Sequence, residues 1–469
     1  MKEEYLKEGL KIVNTLNCLT YQAYIVGGAV RDFIMKNDFI DIDIATSATP
    51  EEINKIFPNV RMEYADLGFV TIKKDDMIFE VSTFKQEIYD NVRKPSKIYY
   101  SNNLLDDVLR RDFTVNALAL TDKMEVVDLV HGVKDLKKKK VQVIGNAKAR
   151  FGEDPIRILR AYELVARFNF HISIKTKNGI LKQNKLLKEI SNYQISKAIN
   201  KIFTSPYGKK AVNLMVEYKT NRVLDDYNEG LFILAKNFKH LDLVEKLSLC
   251  FAYKNSIPIN TCFDKVTLTK IKEILEVVDA TKDFDDTYVV NGKDIINYGY
   301  DTFMSAVKIN QLIRKKYPHL TSKIKNVYKR LTIHSLKELK IKGSDIVSLN
   351  GGVSGQYVGN IIKELAEEVV IGMIQNDYLA LSTRTKEILE SMKPTNDITL
   401  NKGNDLSDIK LRFDKEFSEK VEMTLESLTK GDETEEELSD LRVRVEEKVK
   451  ESLVNKNEEY QLLRKEGLI

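Results

Sequence analysis

The stretch "IDIDIAT" over residues 40–46 sets Asp41 and Asp43 one residue apart inside an apolar run. On a strand, side chains two apart share a face, so the two carboxylates stand side by side while Ile42 and Ile44 turn the other way. Like charges on a half-buried surface repel and lose hydration, and a divalent cation is the natural compensation. Upstream, "YIVGGAVRD" reads as a strand, a glycine pair and a helix start. Gly27 and Gly28 permit close approach of a bound group, the first helical amides point at it, and Arg31 adds a donor fork suited to phosphate. A phosphate cradle beside paired carboxylates suits a nucleoside triphosphate with its Mg2+.

Three further groups could join this chemistry. Glu80 is the only acid in "MIFEVSTF" and is phased opposite Phe79 and Val81. On a strand beside the aspartates it would complete a three-carboxylate site for two metal ions. In "LLDDVLRRDFTVNALAL", Arg110, Arg111 and Asp112 precede an apolar stretch, with Asn116 one turn later. That segment is either an ordinary helix with a charged first turn or an arginine for the triphosphate, with Asp112 and Asn116 on the ribose or fixing the arginines. In "FGEDPIRILRA", Asp154 before Pro155 reads as an ordinary helix start. Asp154 and Arg157 also project together as an acceptor and a donor fork. Cytosine and adenine present an amino donor beside a ring-nitrogen acceptor, whereas uracil and guanine present a carbonyl beside a ring N–H, so this pair would accept C and A only.

The elements that must position these residues change character near residue 150. Before it, β-type runs ("AYIV", "FIDIDIA", "FVTI", "MIFEVSTF", "MEVVDLV") alternate with helical stretches; after it the pattern is helical, with breaks around "NGKDIINYGYDTF" and "IKGSDIVSLNGGVSGQYVGN". The expectation is a small α/β head followed by a long all-α body, in roughly two to four domains. The net charge of +4 is uneven: residues 401–469 carry −6, leaving +10 on the first 400, the part suited to a polyanion. Cys18, Cys250 and Cys262 are far apart without CxxC spacing, which fits a reducing compartment. No secretory pattern and no apolar run of membrane-spanning length is present, so the expected location is cytoplasmic. The five histidines are scattered, and neither GxxxxGK[ST] nor HExxH occurs.

The ordered set GGAVRD, DxD, RRDFTVNALA and EDPIRILRA resembles the class II tRNA nucleotidyltransferases, template-independent enzymes that build or repair the 3′-terminal CCA of tRNA and are close relatives of bacterial poly(A) polymerases. The resemblance returns in "KGSDIVSLNGGVSGQYVGNII" and leaves residues 401–469 uncovered. It implies a polymerase-β-like mixed-sheet head with an elongated all-α neck, body and tail. It also implies that Asp41 and Asp43 ligate catalytic Mg2+, that Gly27, Gly28 and Arg31 lie near the triphosphate, and that Arg111, Asp112 and Asn116 serve ribose and triphosphate. Asp154 and Arg157 would read the base, supported by Arg160. The loop "FKQEIYDNVRKPSKIYY" resembles the flexible loop that switches addition from C to A: Tyr89, Arg93 and Pro95 fit, while Asn91 replaces the usual aspartate. Glu163 stands where arginine is usual, and Tyr193 and Gln194 where a Glu-Arg pair is common. The implied division is a catalytic head at 1–145, a base-recognising neck at 146–210, a body at 211–335, a tRNA-binding tail at 336–400 and a charged helical extension at 401–469. The partners implied are ATP, CTP and the acceptor and TΨC arms of tRNA, held by phosphate contacts and shape, with no membrane and no stated oligomeric state. An A-adding enzyme or poly(A) polymerase shares every head motif, and a catalytically silent tRNA-binding protein would need the basic body but not the carboxylates.

Overall fold

In the computed structural model, which describes residues 2–39, 41–90, 92–93, 95–284, 287–315, 319–392, 406–428, 435–456 and 464, a mixed α/β region precedes a helical one. The first region runs α1 (Lys2–Cys18), β1 (Ala23–Val26), α2 (Gly28–Ile34), β2 (Ile42–Thr46), α3 (Pro50–Ile56), β3 (Val60–Arg61), β4 (Phe69–Lys74), β5 (Met77–Thr83), β6 (Lys85–Ile88), β7 (Lys97–Tyr100), α4 (Leu104–Arg110), β8 (Ala119–Leu120), β9 (Val126–Val127), α5 (Gly132–Lys137) and β10 (Lys140–Val141). Seven strands form one sheet in the order β3, β4, β5, β2, β1, β8, β9. The β2–β5 pair is parallel and the others are antiparallel.

Alternation decides the two faces of this sheet. Ile25, Ile42, Ile44, Phe79 and Val81 join the main core with Ile12, Val13 and Leu16 of α1 and Ala29 and Val30 of α2. Val26, Ala45 and Ala119 belong to a smaller cluster with Phe84 and with Leu104 and Val108 of α4. Asp43, two residues from Ala45, shares that second face. The strand begins only at Ile42, so Asp41 stands just ahead of it, exposed, and the pair does not lie wholly on a strand as expected; Ile40 lies outside the described residues.

Helices follow: α6 (Ala147–Glu153), α7 (Ile156–Phe168), the short strand β11 (His171–Ile172), α8 (Ile174–Gln183), α9 (Asn192–Thr204), α10 (Gly208–Glu217), α11 (Asn228–Asn237), α12 (Leu243–Phe251), α13 (Lys265–Ala280), α14 (Gly292–Tyr298), α15 (Tyr300–Arg314) and α16 (Leu320–Tyr328). Helix α7 buries Ile158, Leu159, Ala161, Tyr162 and Val165, and Asn169 ends it with φ 59°. The fully buried Tyr162 hydroxyl meets Thr220 Oγ1 at 2.7 Å, which keeps its polar end satisfied. The chain forms two compact units, Met1–Lys342 with Ile362–Asp377, and Gly343–Ile361 with Tyr378–Ile469. The second unit contains α17 (Gly343–Leu349), the start of α18 (Tyr357–Val370), α19 (Tyr378–Met392), α20 (Leu406–Leu428) and α21 (Glu435–Lys456). Within it the charged extension is a helix pair: α20 and α21 pack through Phe413, Leu453 and Val454, and Arg442 Nη2 reaches Glu422 at 2.6 Å. Among the described residues no helix is long and apolar enough to cross a membrane.

Candidate active site

Gly27 ends β1 with φ +77°, in the region that favours glycine. A Cβ there would stand 3.3 Å from Asp43 Oδ2 and 3.4 Å from Arg111 Nη1, so the turn brings backbone against both functional side chains. Across the parallel pair, Asp43 is in register with Glu80, as expected for adjacent strands. Burial pushes the Asp43 carboxyl above the ordinary carboxylate range; Arg111 and Arg160 pull it back, and Asp41 adds repulsion. Desolvation by the surrounding walls and the Asp43 charge raise Glu80 in the same way. Among the described residues no group of three His, Cys, Asp or Glu side chains stands close enough together to form a ready-made metal site. A divalent cation can be held by one or two carboxylates plus substrate phosphates rather than by an all-protein cage.

Opposite this sheet, carboxylates hold arginines. The Asp107 carboxylate, buried at 0% side-chain exposure, accepts from Arg111 Nε at 3.0 Å and Nη2 at 2.8 Å, and from Arg110 Nε at 2.8 Å. Burial alone would raise its pKa, but Arg111 and Arg110 more than offset this and leave it below the usual range. Asp112 accepts from the Phe113 amide at 2.7 Å and from Asn116 Nδ2 at 3.1 Å, and pairs with Arg160 Nε at 2.7 Å. Asn116 Oδ1 in turn accepts from Arg31 Nη1 at 2.5 Å. Arg31 is only 5% exposed: it chelates Asp32 through two 3.0 Å bonds and stands 4.5 Å over the Phe168 ring. Of the readings open for this segment, the geometry matches the one in which Asp112 and Asn116 fix arginines.

Helix α7 presents Arg157, Arg160, Glu163 and Arg167 on one edge, three or four residues apart. Pro155, expected as the first helical residue, is the N-cap of α7, and Asp154, expected as that cap, stands one residue earlier at the end of α6, its Oδ1 accepting from the Ile156 amide at 3.3 Å. Arg157 Nη1 donates to the Arg150 carbonyl and to Glu153 Oε2, both at 2.9 Å, which sets its plane. Burial raises the Asp154 pKa, with Arg157 the main opposing charge. The hairpin β6–β7 carries the expected loop to this point: the Arg93 amide donates to the Glu153 carbonyl at 2.6 Å and Arg93 Nε stands 3.8 Å from Asp154 Oδ1. Arg93 has φ +76°, a strained value for a non-glycine residue. Tyr89 donates to Glu87 Oε2 at 2.7 Å, and Asn91 lies outside the described residues. Glu163, the departure in the neck, pairs with Lys201 of α9 at 3.4 Å.

One cavity of about 1630 Å³ is lined by Gly27, Gly28, Arg31, Asp41, Asp43, Glu80, Arg111, Asp112, Asn116, Asp154, Arg157 and Arg160 together, and by Arg93. Residues 23–142 match the family model described as the poly(A) polymerase head domain, and residues 263–384 match that of tRNA nucleotidyltransferase domain 2. The chain is 31% identical over 401 residues to the CCA-adding enzyme of Ligilactobacillus salivarius, covering 82% of this chain and 97% of that one. The chain belongs to the CCA-adding enzyme family. The CCA-adding enzyme of Bacillus cytotoxicus is 29% identical over 384 residues, covering 79% of this chain and 95% of its own. The solved structure of the Bacillus stearothermophilus CCA-adding enzyme in complex with CTP matches with a TM-score of 0.62 and 25% identity, over 82% of this chain and 98% of that one. As a member of the CCA-adding family, the protein is a nucleotidyltransferase with a mixed-sheet head and a mostly helical remainder. The head family works with divalent metal ions.

Sequence reading missed several residues that this CCA-adding family member uses to build the cavity. Asp107 carries a signal, its spacing of three and four residues to Arg110 and Arg111. Asp32 also accepts from Arg167 Nη2 at 3.0 Å across 135 positions, and no local pattern could have announced that pair.

Proposed function

We propose that this chain builds or repairs the 3′-terminal CCA of tRNA from CTP and ATP without a nucleic-acid template, releasing pyrophosphate. The observation that carries this reading is the shared cavity, in which the carboxylates of Asp41 and Asp43 face the same space as Asp154 and Arg157. Asp41 and Asp43 would hold Mg2+, and Glu80 adds to the negative potential beside them. Bound there, Mg2+ would acidify the RNA terminal hydroxyl and neutralise the leaving pyrophosphate. The terminal hydroxyl oxygen forms a bond to the α-phosphorus, and the bond from that phosphorus to pyrophosphate breaks. Arg111, oriented by Asp107, faces the charge that gathers on the triphosphate, while Arg31, anchored on Asp32 and Asn116, lines the cavity wall. Asp154 accepts from the exocyclic amino group of C or A, Arg157 donates to the neighbouring ring nitrogen, and Arg160 on Asp112 steadies the helix. Tyr89 and Arg93 would take part in the change from adding C to adding A.

In the domain assignment proposed here, residues 1–145 are the catalytic head, 146–210 the neck, 211–335 the body and 336–400 the tail that, with the body, holds the acceptor and TΨC arms. The three free cysteines suit the reducing cytoplasm. The test incubates the protein and Mg2+ with tRNA ending at the discriminator base, or in CC, offering each nucleoside triphosphate alone and all four together, and sequences the ends. Growth to CCA that then stops supports the reading. Addition of A alone to the CC substrate, or an unlimited A tail, reassigns the enzyme to A addition; no transfer with retained tRNA binding leaves a binding protein.

A further inference from the structure

Helix α9 faces the same cavity with residues to which the reaction so far assigns no role. Its apolar side, Ile195, Ala198, Ile199 and Ile202, is buried in the core, while Tyr193, Lys197 and Lys201 stand one turn apart along the cavity wall. Tyr193 is 52% exposed, and among the described residues its ring stacks on no other aromatic ring. Lys197 has no ion-pair partner among the described residues, and the Lys201 ammonium, half exposed, is oriented by Glu163 at 3.4 Å. That carboxylate is opposed by Arg160 as well as by Lys201, so the helix face stays positive. Small-ligand sites occupy roughly 300–1,000 Å³. The cavity, at about 1630 Å³, therefore has room for a second occupant beside a nucleotide. An aromatic ring followed at one-turn intervals by two ammonium groups is the chemistry that binds a single strand, with the ring under a base and the cations on the phosphates.

We propose that this face of α9 holds the unpaired 3′ end of the RNA substrate, with Tyr193 stacked on a base and Lys197 and Lys201 on the backbone phosphates. The assignment rests on the transfer reaction proposed above and adds where the acceptor strand lies within it. It also gives the Tyr193 departure a task, because a flat ring serves any base that reaches the end as it grows.

The test uses the full chain and a tRNA ending in CC whose terminal base is replaced by 2-aminopurine, in the absence of nucleotide, so that it reads strand binding and not transfer. Quenching of the fluorescence by the wild type and by Tyr193→Phe, with no quenching by Tyr193→Ala, is the expected result. In steady-state assays Tyr193→Ala raises KM for tRNA about ten-fold and leaves KM for ATP and CTP unchanged. Lys197→Ala with Lys201→Ala raises KM for tRNA and flattens its salt dependence. Equal quenching by Tyr193→Ala, or a rise in KM for the nucleotides in place of tRNA, overturns the proposal. A wild type that quenches yet transfers no nucleotide would instead defeat the reaction while leaving this strand site standing.

Discussion

The two walls of the cavity treat carboxylates in opposite ways. On the sheet wall, Asp43 and Glu80 are pushed above the ordinary carboxylate range by desolvation, with a neighbouring carboxylate adding to it, Asp41 for Asp43 and Asp43 for Glu80. On the wall formed by α4 and the segment after it, Asp107 and Asp112 are held below that range, because nearby guanidinium groups and hydrogen bonds outweigh their burial. In the first set the nearby cations, Arg111 and Arg160 for Asp43 and Lys85 and Arg110 for Glu80, do not offset burial; in the second the guanidinium groups do. Burial alone therefore does not fix the direction of a carboxylate's shift. The balance of charge around each carboxylate does.

Breaking the sheet wall gives the largest effect. Asp43→Ala is expected to lower nucleotide transfer by about a thousand-fold or more while tRNA affinity, read by filter binding, stays near the wild-type value. Equal loss of both would move Asp43 from the chemistry to the scaffold.

Breaking the opposite wall acts on folding first. Asp107→Asn leaves Arg110 and Arg111 without their shared partner and is expected to cost about 3 kcal/mol in urea unfolding at neutral pH. The sign of its pH dependence follows from the depressed pKa. The Asp107 contribution is present above the unfolded value of about 3.9 and fades as pH falls through the lower folded value. Wild type and variant should therefore converge in stability on acidification; a gap that widens toward low pH contradicts the pairing.

The smallest expected effect lies between the walls, at Asp154. Its raised pKa means that protonation sets in above the usual carboxylate range as pH falls, and a protonated carboxyl no longer accepts from an amino group as a carboxylate does. The ratio of CTP to UTP incorporation should fall on acidification in the wild type and be independent of pH in Asp154→Ala. A flat wild-type ratio from neutral pH into the acid range would remove Asp154 from base selection.

Much of this site is legible in the chain because its parts are local. The GG turn, the aspartate pair and the Asp154–Arg157 spacing are each short-range patterns tied to the geometry of one strand or one helical turn. The alternation of "MIFEVSTF" likewise announces both the strand and the opposite phasing of Glu80. The roles inside "RRDFTVNALA" were ambiguous, since the choice between touching substrate and fixing arginines depends on what lies across the cavity. Arg160 answers for Asp112, and Arg31 for Asn116.

By itself the sequence determined the element types, the order of the motifs and the family, since periodicity and spacing are properties of neighbouring residues. Only the tertiary structure decided that Glu80 lies in register with Asp43 across the parallel pair, and that Asp41 stands ahead of its strand. It alone brought Arg167 to Asp32, Arg93 to Asp154 and the exposed face of α9 to the cavity. These are contacts between distant segments, and their partners are chosen by how the sheet and helices pack, which no local pattern records.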